Sequence, residues 1–364
     1  MIPFLDLKRS YQAKKREIDK AVAEVLSSGL YLGGPQLGKF EEEFSSYLEV
    51  KEAVGVGSGT DAIILALQSL GINPEDEIVI PANVYPSIFG VIQSGATPVL
   101  CDVDPITFNL NVENLRKITI SKKTKAILFV HLYGNSGGII EVAEFARKNK
   151  LLLVEDCAHA QGAKINNKHT GTFGHAGCFS FYPTKNLASI GNAGAVVTNS
   201  TTLAKKIHFL KRNGERKRFI SWDKGYTTEL DEIQAAILRV RLKYLDKDNK
   251  NRINLAKYYL NKLKNLSIRL PKVLSSENVF LNFVISTKKR DQLRKYLSKH
   301  QVGTQIHYPL PLHLQPAFKY LGYKKGDFPI SEKLSQTVLS LPMYPYLTKR
   351  EAEFICQKII EFFR

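Results

Sequence analysis

From about residue 50 onward, the chain alternates short apolar segments of strand length with stretches of helical periodicity, and this alternation narrows its fold more than any other feature. The apolar segments fall at 53–56, 77–80, 97–101, 124–130, 151–154, 177–181 and 194–198. In Leu151-Leu152-Leu153-Val154 there is no polar alternation, as a strand covered on both faces requires. Helical patterns fill intervals such as 61–70 and 139–149, the latter closing on basic residues that suit a helix carboxyl end. The expectation is an α/β chain with a mainly parallel seven-stranded sheet flanked by helices. One long helix over 229–264 should then lead to a smaller α+β part, with apolar 280–285 followed by helices at 289–300 and 349–363. The expected division is 1–240, a large domain carrying an amino-terminal arm and helix, and 241–364, a small carboxyl-terminal domain.

Other classes fall away on composition. No run of eighteen apolar residues occurs, which excludes a membrane-spanning helix, and the opening Met1-Ile2-Pro3-Phe4-Leu5-Asp6-Leu7-Lys8 lacks the charged-then-apolar order of a signal peptide. A cytoplasmic protein is expected. Cys101, Cys157, Cys178 and Cys356 are scattered without a CxxC pair, so they are read as reduced core residues rather than disulfides or metal ligands. The formal net charge of +18 admits a nucleic-acid partner. However, the lysines are spread over Lys14-Lys15-Arg16, Lys122-Lys123, Lys205-Lys206, 243–250 and Lys324-Lys325 without a nucleic-acid motif, which favours solvated faces. Only 211–218, Lys-Arg-Asn-Gly-Glu-Arg-Lys-Arg, gathers cations in a glycine-containing loop, where they can meet a diphosphate.

The chemistry centres on Lys185 in Ser180-Phe181-Tyr182-Pro183-Thr184-Lys185-Asn186, downstream of Glu155-Asp156-Cys157-Ala158-His159. A lysine amine condenses with aldehydes, and pyridoxal phosphate needs such a lysine together with an acid for its ring nitrogen. Asp156 stands just beyond the apolar run 151–154 and Glu155, so it should emerge at the carboxyl end of a buried strand, where open α/β sheets bind ligands. An unpaired acid there is costly; a salt bridge or a helix cap would serve it equally. Gly55-Val56-Gly57-Ser58-Gly59-Thr60-Asp61 ends the first strand and opens a helix, a plausible phosphate cradle. Taken alone, such a turn also binds dinucleotides or simply turns. The Ser180 hydroxyl can complete a phosphate site or cap a strand end. Tyr85, in the loop after 77–80, can stack on a pyridine ring or simply pack.

With these residues the chain resembles the sugar aminotransferases of pyridoxal-phosphate fold type I, which aminate keto sugars carried on nucleotides. The resemblance spans nearly the whole length. It includes 2–7, Tyr31-Leu32-Gly33-Gly34-Pro35, Phe40-Glu41, Ser58-Gly59-Thr60, Glu155-Asp156, 180–186, Gly191-Asn192-Ala193-Gly194-Ala195, Arg212-Asn213-Gly214 and His307-Tyr308-Pro309. It implies that Lys185 forms the Schiff base with pyridoxal 5′-phosphate, Asp156 meets the ring nitrogen, Tyr85 stacks on the ring, and Gly59, Thr60, Asp61 and Ser180 hold the phosphate. Asn213 would reach the cofactor of a neighbouring subunit, implying a homodimer with composite sites. Two positions depart from the family pattern: His159 stands where relatives often have glutamine, with Gln161 two residues later, and Asn192 stands where relatives often have an acid. His159 is retained as a cofactor contact because histidine also donates hydrogen bonds.

Because Lys185 is a lysine, the resemblance implies transamination rather than the dehydration run by sister enzymes that carry histidine there. Glutamate is the implied amino donor. Tyr182-Pro183 and His307-Tyr308-Pro309 resemble the branch acting on 3-keto sugars. The implied substrate is a dTDP-linked 3-keto-6-deoxyhexose, with Tyr182, His307, Tyr308 and Tyr31 as sugar contacts and Arg216 and Arg218 toward the diphosphate. A 4-keto-sugar aminotransferase and a non-catalytic regulatory or binding protein on the same fold are the alternatives.

Overall fold

The computed structural model describes residues 1–272 and 278–364. Seven strands form the central sheet: β1 (Glu52–Val56), β2 (Glu77–Pro81), β3 (Thr97–Cys101), β4 (Thr124–Val130), β5 (Leu152–Asp156), β6 (Ala176–Ser180) and β7 (Gly194–Thr198). Their order is β1-β7-β6-β5-β4-β2-β3. The pairs β2–β3, β2–β4, β4–β5 and β5–β6 are parallel, whereas β7 runs antiparallel to both β1 and β6. The carboxyl ends of β2, β4, β5 and β6 therefore open on one side. That edge carries the site.

Helices cover both faces. On one, the Gly59–Ser69 helix is buried almost all round, with Ala62, Leu65, Ala66 and Leu67 at 0% exposure, and packs with Val54, Val154 and Val196. On the other, Phe40 and Phe44 of the Pro35–Leu48 helix meet Phe179 and Phe181. The ring of Phe44 lies edge-on to Phe179 at 5.1 Å and to Phe181 at 5.4 Å, contacts worth about 1 kcal/mol each beyond area burial. Because side chains alternate along a strand, anchoring Phe179 and Phe181 on this face turns Ser180 toward the other.

The Pro35–Leu48 helix begins at Gly34, which offers no capping side chain. Glu232 supplies the cap instead, accepting from Gln36 N at 2.7 Å and Leu37 N at 2.8 Å.

The single helix expected over 229–264 is two helices, Glu232–Leu242 and Leu245–Leu263, with a turn at Lys243–Tyr244. The first buries Ala235, Ile237 and Leu238 against the large sheet's helices; the second places Tyr259 and Leu263 in a separate core with Phe283, Leu293 and Ile355. One straight rod cannot serve both cores. In the carboxyl-terminal part, Phe283–Ser286 pairs antiparallel with Val338–Leu341.

Among the connections between the parts, two stand out. Asp102 after β3 accepts from Ile330 N at 2.9 Å, Ser331 N at 2.9 Å and Ser331 Oγ at 2.6 Å, capping the Pro329–Thr337 helix. The amino-terminal arm lies on the carboxyl-terminal part: Ile2 bridges to Val302, and Arg9 pairs with Glu351 at 2.7 Å. Among the described residues, no helix is long and apolar enough to cross a membrane.

Candidate active site

Where the carboxyl ends of β4, β5 and β6 meet the amino end of the Gly59–Ser69 helix there is a cavity of about 270 Å³. Gly59, Thr60, Asp156, His159, Ser180, Tyr182, Lys185 and Tyr308 all line it. These eight are among the residues that the sequence singled out, and they come from four separate stretches of chain.

Asp156 is the last residue of β5 and is 6% exposed. Its Oδ2 accepts from Ser87 Oγ at 2.6 Å and its Oδ1 from Ala158 N at 2.9 Å. No lysine, arginine or histidine lies within ion-pair distance of Asp156 among the described residues, so its orientation comes from these two neutral donors. Lys185 lines the same cavity, and loss of water around its amine pushes its pKa down to about 8, against an opposing pull from Asp156.

The helix amino end is built for close approach. Ser58 caps it, accepting from Asp61 N at 3.1 Å and donating to Asp61 Oδ2 at 2.8 Å. A Cβ on Gly59 would stand 2.6 Å from Ser180 Cβ, and one on Gly194 would stand 2.3 Å from Ser58 O. Only hydrogen at both positions lets the helix start, β6 and β7 converge. Partial positive charge at this terminus, with the Thr60 and Ser180 hydroxyls beside it, suits an anion.

His159 is 7% exposed, and its Nδ1 accepts from Tyr133 N at 3.3 Å. Burial, then the charges of Lys185 and His307, holds it well below the ordinary histidine value, so the ring is neutral. With Nδ1 accepting, the proton sits on Nε2, making that nitrogen a donor. Gln161 does different work: its Nε2 donates to Ser180 O at 2.6 Å and Ala158 O at 3.2 Å, holding the end of β6. Among the two, only His159 lines the cavity. Asn192 lines it as well.

The remaining expected residues stand elsewhere. Tyr85 is 41% exposed, at the rim, with its ring 5.4 Å from Phe89 and 6.2 Å from Tyr308. Asp61 is outside the lining, its N–H already bonded to Ser58. His307 lies one residue behind Tyr308, bonded through Nδ1 to Ser340 Oγ at 2.8 Å, and burial followed by the Lys185 charge pushes its pKa down to about 4. Tyr31, Asn213, Arg216 and Arg218 are exposed and outside the cavity. Arg216 rests over Phe209 and Trp222, Arg218 over Phe219, and Asn213 Oδ1 accepts from Thr227 Oγ1 at 2.8 Å.

Sequence reasoning missed Ser87 and the role of Glu155. Glu155 is fully buried, accepting from Gly171 N at 2.8 Å, Phe173 N at 2.7 Å and Gly174 N at 2.8 Å, with His131 Nε2 at 2.9 Å. It fixes the turn before β6. His131, Glu155 and Cys157 bring ligand-type atoms within 4.8 Å of one another. Both Glu155 oxygens are already taken by backbone donors, and burial pushes the Cys157 thiol well above its ordinary value. That is a structural cluster.

The lining fits pyridoxal 5′-phosphate: a helix amino end with hydroxyls for the phosphate, an oriented carboxylate for the ring nitrogen, a histidine donor, and an amine of lowered pKa. Comparison with known proteins agrees. The DegT/DnrJ/EryC1/StrS aminotransferase family matches residues 12–360. The chain is 40% identical to a dTDP-3-amino-3,6-dideoxy-alpha-D-galactopyranose transaminase of Aneurinibacillus thermoaerophilus, covering 99% of each. It is 38% identical to a "pleiotropic regulatory protein" of Geobacillus stearothermophilus, over 100% of this chain and 99% of that one. Among solved structures, S. venezuelae DesV in complex with a ketimine intermediate superposes with a TM-score of 0.96 at 40% identity, covering 99% of this chain and 98% of that one. The chain belongs to the DegT/DnrJ/EryC1/StrS aminotransferase family and is a pyridoxal-phosphate-dependent aminotransferase of fold type I.

Proposed function

We propose that this enzyme moves the amino group of glutamate to a dTDP-linked 3-keto-6-deoxyhexose, giving a dTDP-3-amino-3,6-dideoxyhexose for a surface glycan, in the cytoplasm. The convergence of Lys185, Asp156 and the Gly59 helix end in one cavity carries the reaction type. The Aneurinibacillus relative, a transaminase of a 3-amino-3,6-dideoxy sugar, supports the position aminated.

The bound cofactor supplies an aldehyde that captures amines and a ring that takes up electrons. Lys185 would hold that aldehyde through its amine and, as a free amine, would be the base that takes up and returns a proton at its Nζ. Its pKa of about 8 leaves on the order of a tenth of it neutral at pH 7, against a few parts in ten thousand for an ordinary lysine. Asp156 meets the ring nitrogen, held in place by Ser87 and Ala158. His159 donates from Nε2 to the ring's phenolic oxygen. Gly59, Thr60, Asp61 and Ser180 hold the phosphate, Asp61 by fixing Ser58. Tyr85 closes the ring face, and Tyr182, Tyr308 and His307 form the sugar side.

The chain works as 1–240 and 241–364 in a homodimer with composite sites. Leu30, Tyr31, Leu32, Phe219 and Trp222 are 54%, 52%, 61%, 82% and 65% exposed, an apolar display that suits burial against a second copy. Docking there would carry Asn213, Arg216, Arg218 and Tyr31 toward the partner's cavity.

Product analysis by NMR after incubation with glutamate and dTDP-linked 3-keto and 4-keto sugars tests this reading. Amination of the 3-keto isomer is expected; turnover of the 4-keto isomer alone would overturn it. The name of the Geobacillus relative motivates a regulatory reading, which predicts no glutamate-dependent change in cofactor absorbance.

A further inference from the structure

Lys185 also borders a second, much smaller cavity, about 30 Å³, whose walls come from the amino-terminal arm, the 183–188 segment, the start of the Leu245–Leu263 helix and 344–346. Its charges do not balance. Lys14, Arg241 and Arg252 face it with Asp248 and Asp6. Asp6 is taken up by Arg9 at 3.1 Å. Asp248 accepts at Oδ2 from Lys14 Nζ at 2.8 Å and at Oδ1 from the Tyr346 hydroxyl at 3.1 Å.

Neither guanidinium has a carboxylate within ion-pair distance among the described residues. Arg241 Nη1 donates to Ala188 O and Arg252 Nη1 to Met343 O, both at 2.7 Å. Their Nε atoms, and the hydroxyl of Tyr344, are buried without a partner. Arg252 as a whole is 3% exposed. Buried cations of this kind are normally paired. Burial pushes the Arg252 pKa down to about 10 and lowers that of Arg241, the pull of Asp248 falling short of compensating.

We propose that this cavity binds one monoatomic anion, chloride, with the guanidiniums of Arg241 and Arg252 as its donors. A water needs roughly 10–15 Å³ of such space, so a space of about 30 Å³ suits a small monoatomic ion. The ion would tie the arm, the lysine segment and the carboxyl-terminal part together at one point. This holds whichever sugar the enzyme aminates.

The test uses holoenzyme. Its melting temperature is followed against sodium chloride, with sodium gluconate at equal ionic strength as control, and crystals soaked in bromide are measured for anomalous scattering. A saturable, chloride-specific rise of about 2 °C or more is expected, with a bromide peak inside the cavity and loss of the chloride-specific part in Arg241→Gln. Identical melting in both salts, or bromide found only at surface lysines, would show water in the cavity and overturn the proposal. The unmodified enzyme decides the matter even if Arg241→Gln fails to fold.

Discussion

Ser87 donates a 2.6 Å hydrogen bond from its hydroxyl to Oδ2 of Asp156. The serine opens the helix after β2 and the aspartate ends β5, so the bond fixes the carboxylate from outside its own strand. A hydrogen bond to a charged group is worth about 1.5–3 kcal/mol. Ser87→Ala should therefore lower kcat/KM roughly tenfold or more and shift the pH dependence of the cofactor spectrum, while Ser87→Thr restores both. Steady-state kinetics with a spectral pH titration checks this.

Lys185 reacts through its neutral amine, and its lowered pKa sets when that form is present. The amine deprotonates as pH rises through about 8. Uptake of pyridoxal phosphate by the apoenzyme should accelerate about 50-fold from pH 6 to pH 8 and then level off, whereas an ordinary lysine would keep accelerating beyond pH 10. Stopped-flow absorbance distinguishes the two curves. Lys185→Ala should show neither uptake of this kind nor turnover.

Glu155 holds three backbone N–H groups and His131 in a fully buried site. An amide in its place turns an N–H₂ toward donors. Glu155→Gln should lose about 2–4 kcal/mol of stability, read as a lower urea midpoint, with the turn at 170–174 exchanging its amides faster.

The composite sites proposed above make a prediction that a monomer cannot meet. Lys185→Ala and Asn213→Ala enzymes, each inactive or weak alone, should regain activity when mixed and allowed to exchange subunits. One site of each mixed dimer would then carry both native residues. Failure to regain activity while mixed dimers form would place Asn213 outside the partner's site.

Much of this architecture was legible because buried strands must be apolar throughout. All seven segments of the sheet appear within two residues of their expected ends, and Lys185, Asp156, Gly59, Thr60 and Ser180 do converge. The break at Lys243–Tyr244 was not legible, since neither glycine nor proline marks it and both flanks keep helical spacing. What forces the turn is the presence of two cores, which local sequence does not reveal. Ser87 was hidden for a similar reason: a serine after Tyr85-Pro86 reads as a helix start, and only β5, far along the chain, gives it a partner. Tyr31 and Asn213 stood out by family resemblance, Arg216 and Arg218 through the cations gathered at 211–218, and within one chain all four remain at the surface.

The antiparallel closure of the sheet also sets a timetable for synthesis. Glu52 pairs with Thr198 and Val56 with Gly194, so β1 leaves the ribosome long before the one strand it pairs with among the described residues. At typical elongation speeds the wait is on the order of ten seconds. Through it, both edges of β1 are open, with Val54 and Val56 lacking the cover they have in the finished fold. The strand made first in the sheet is among the last to be paired, which leaves its edges open to wrong partners for longest.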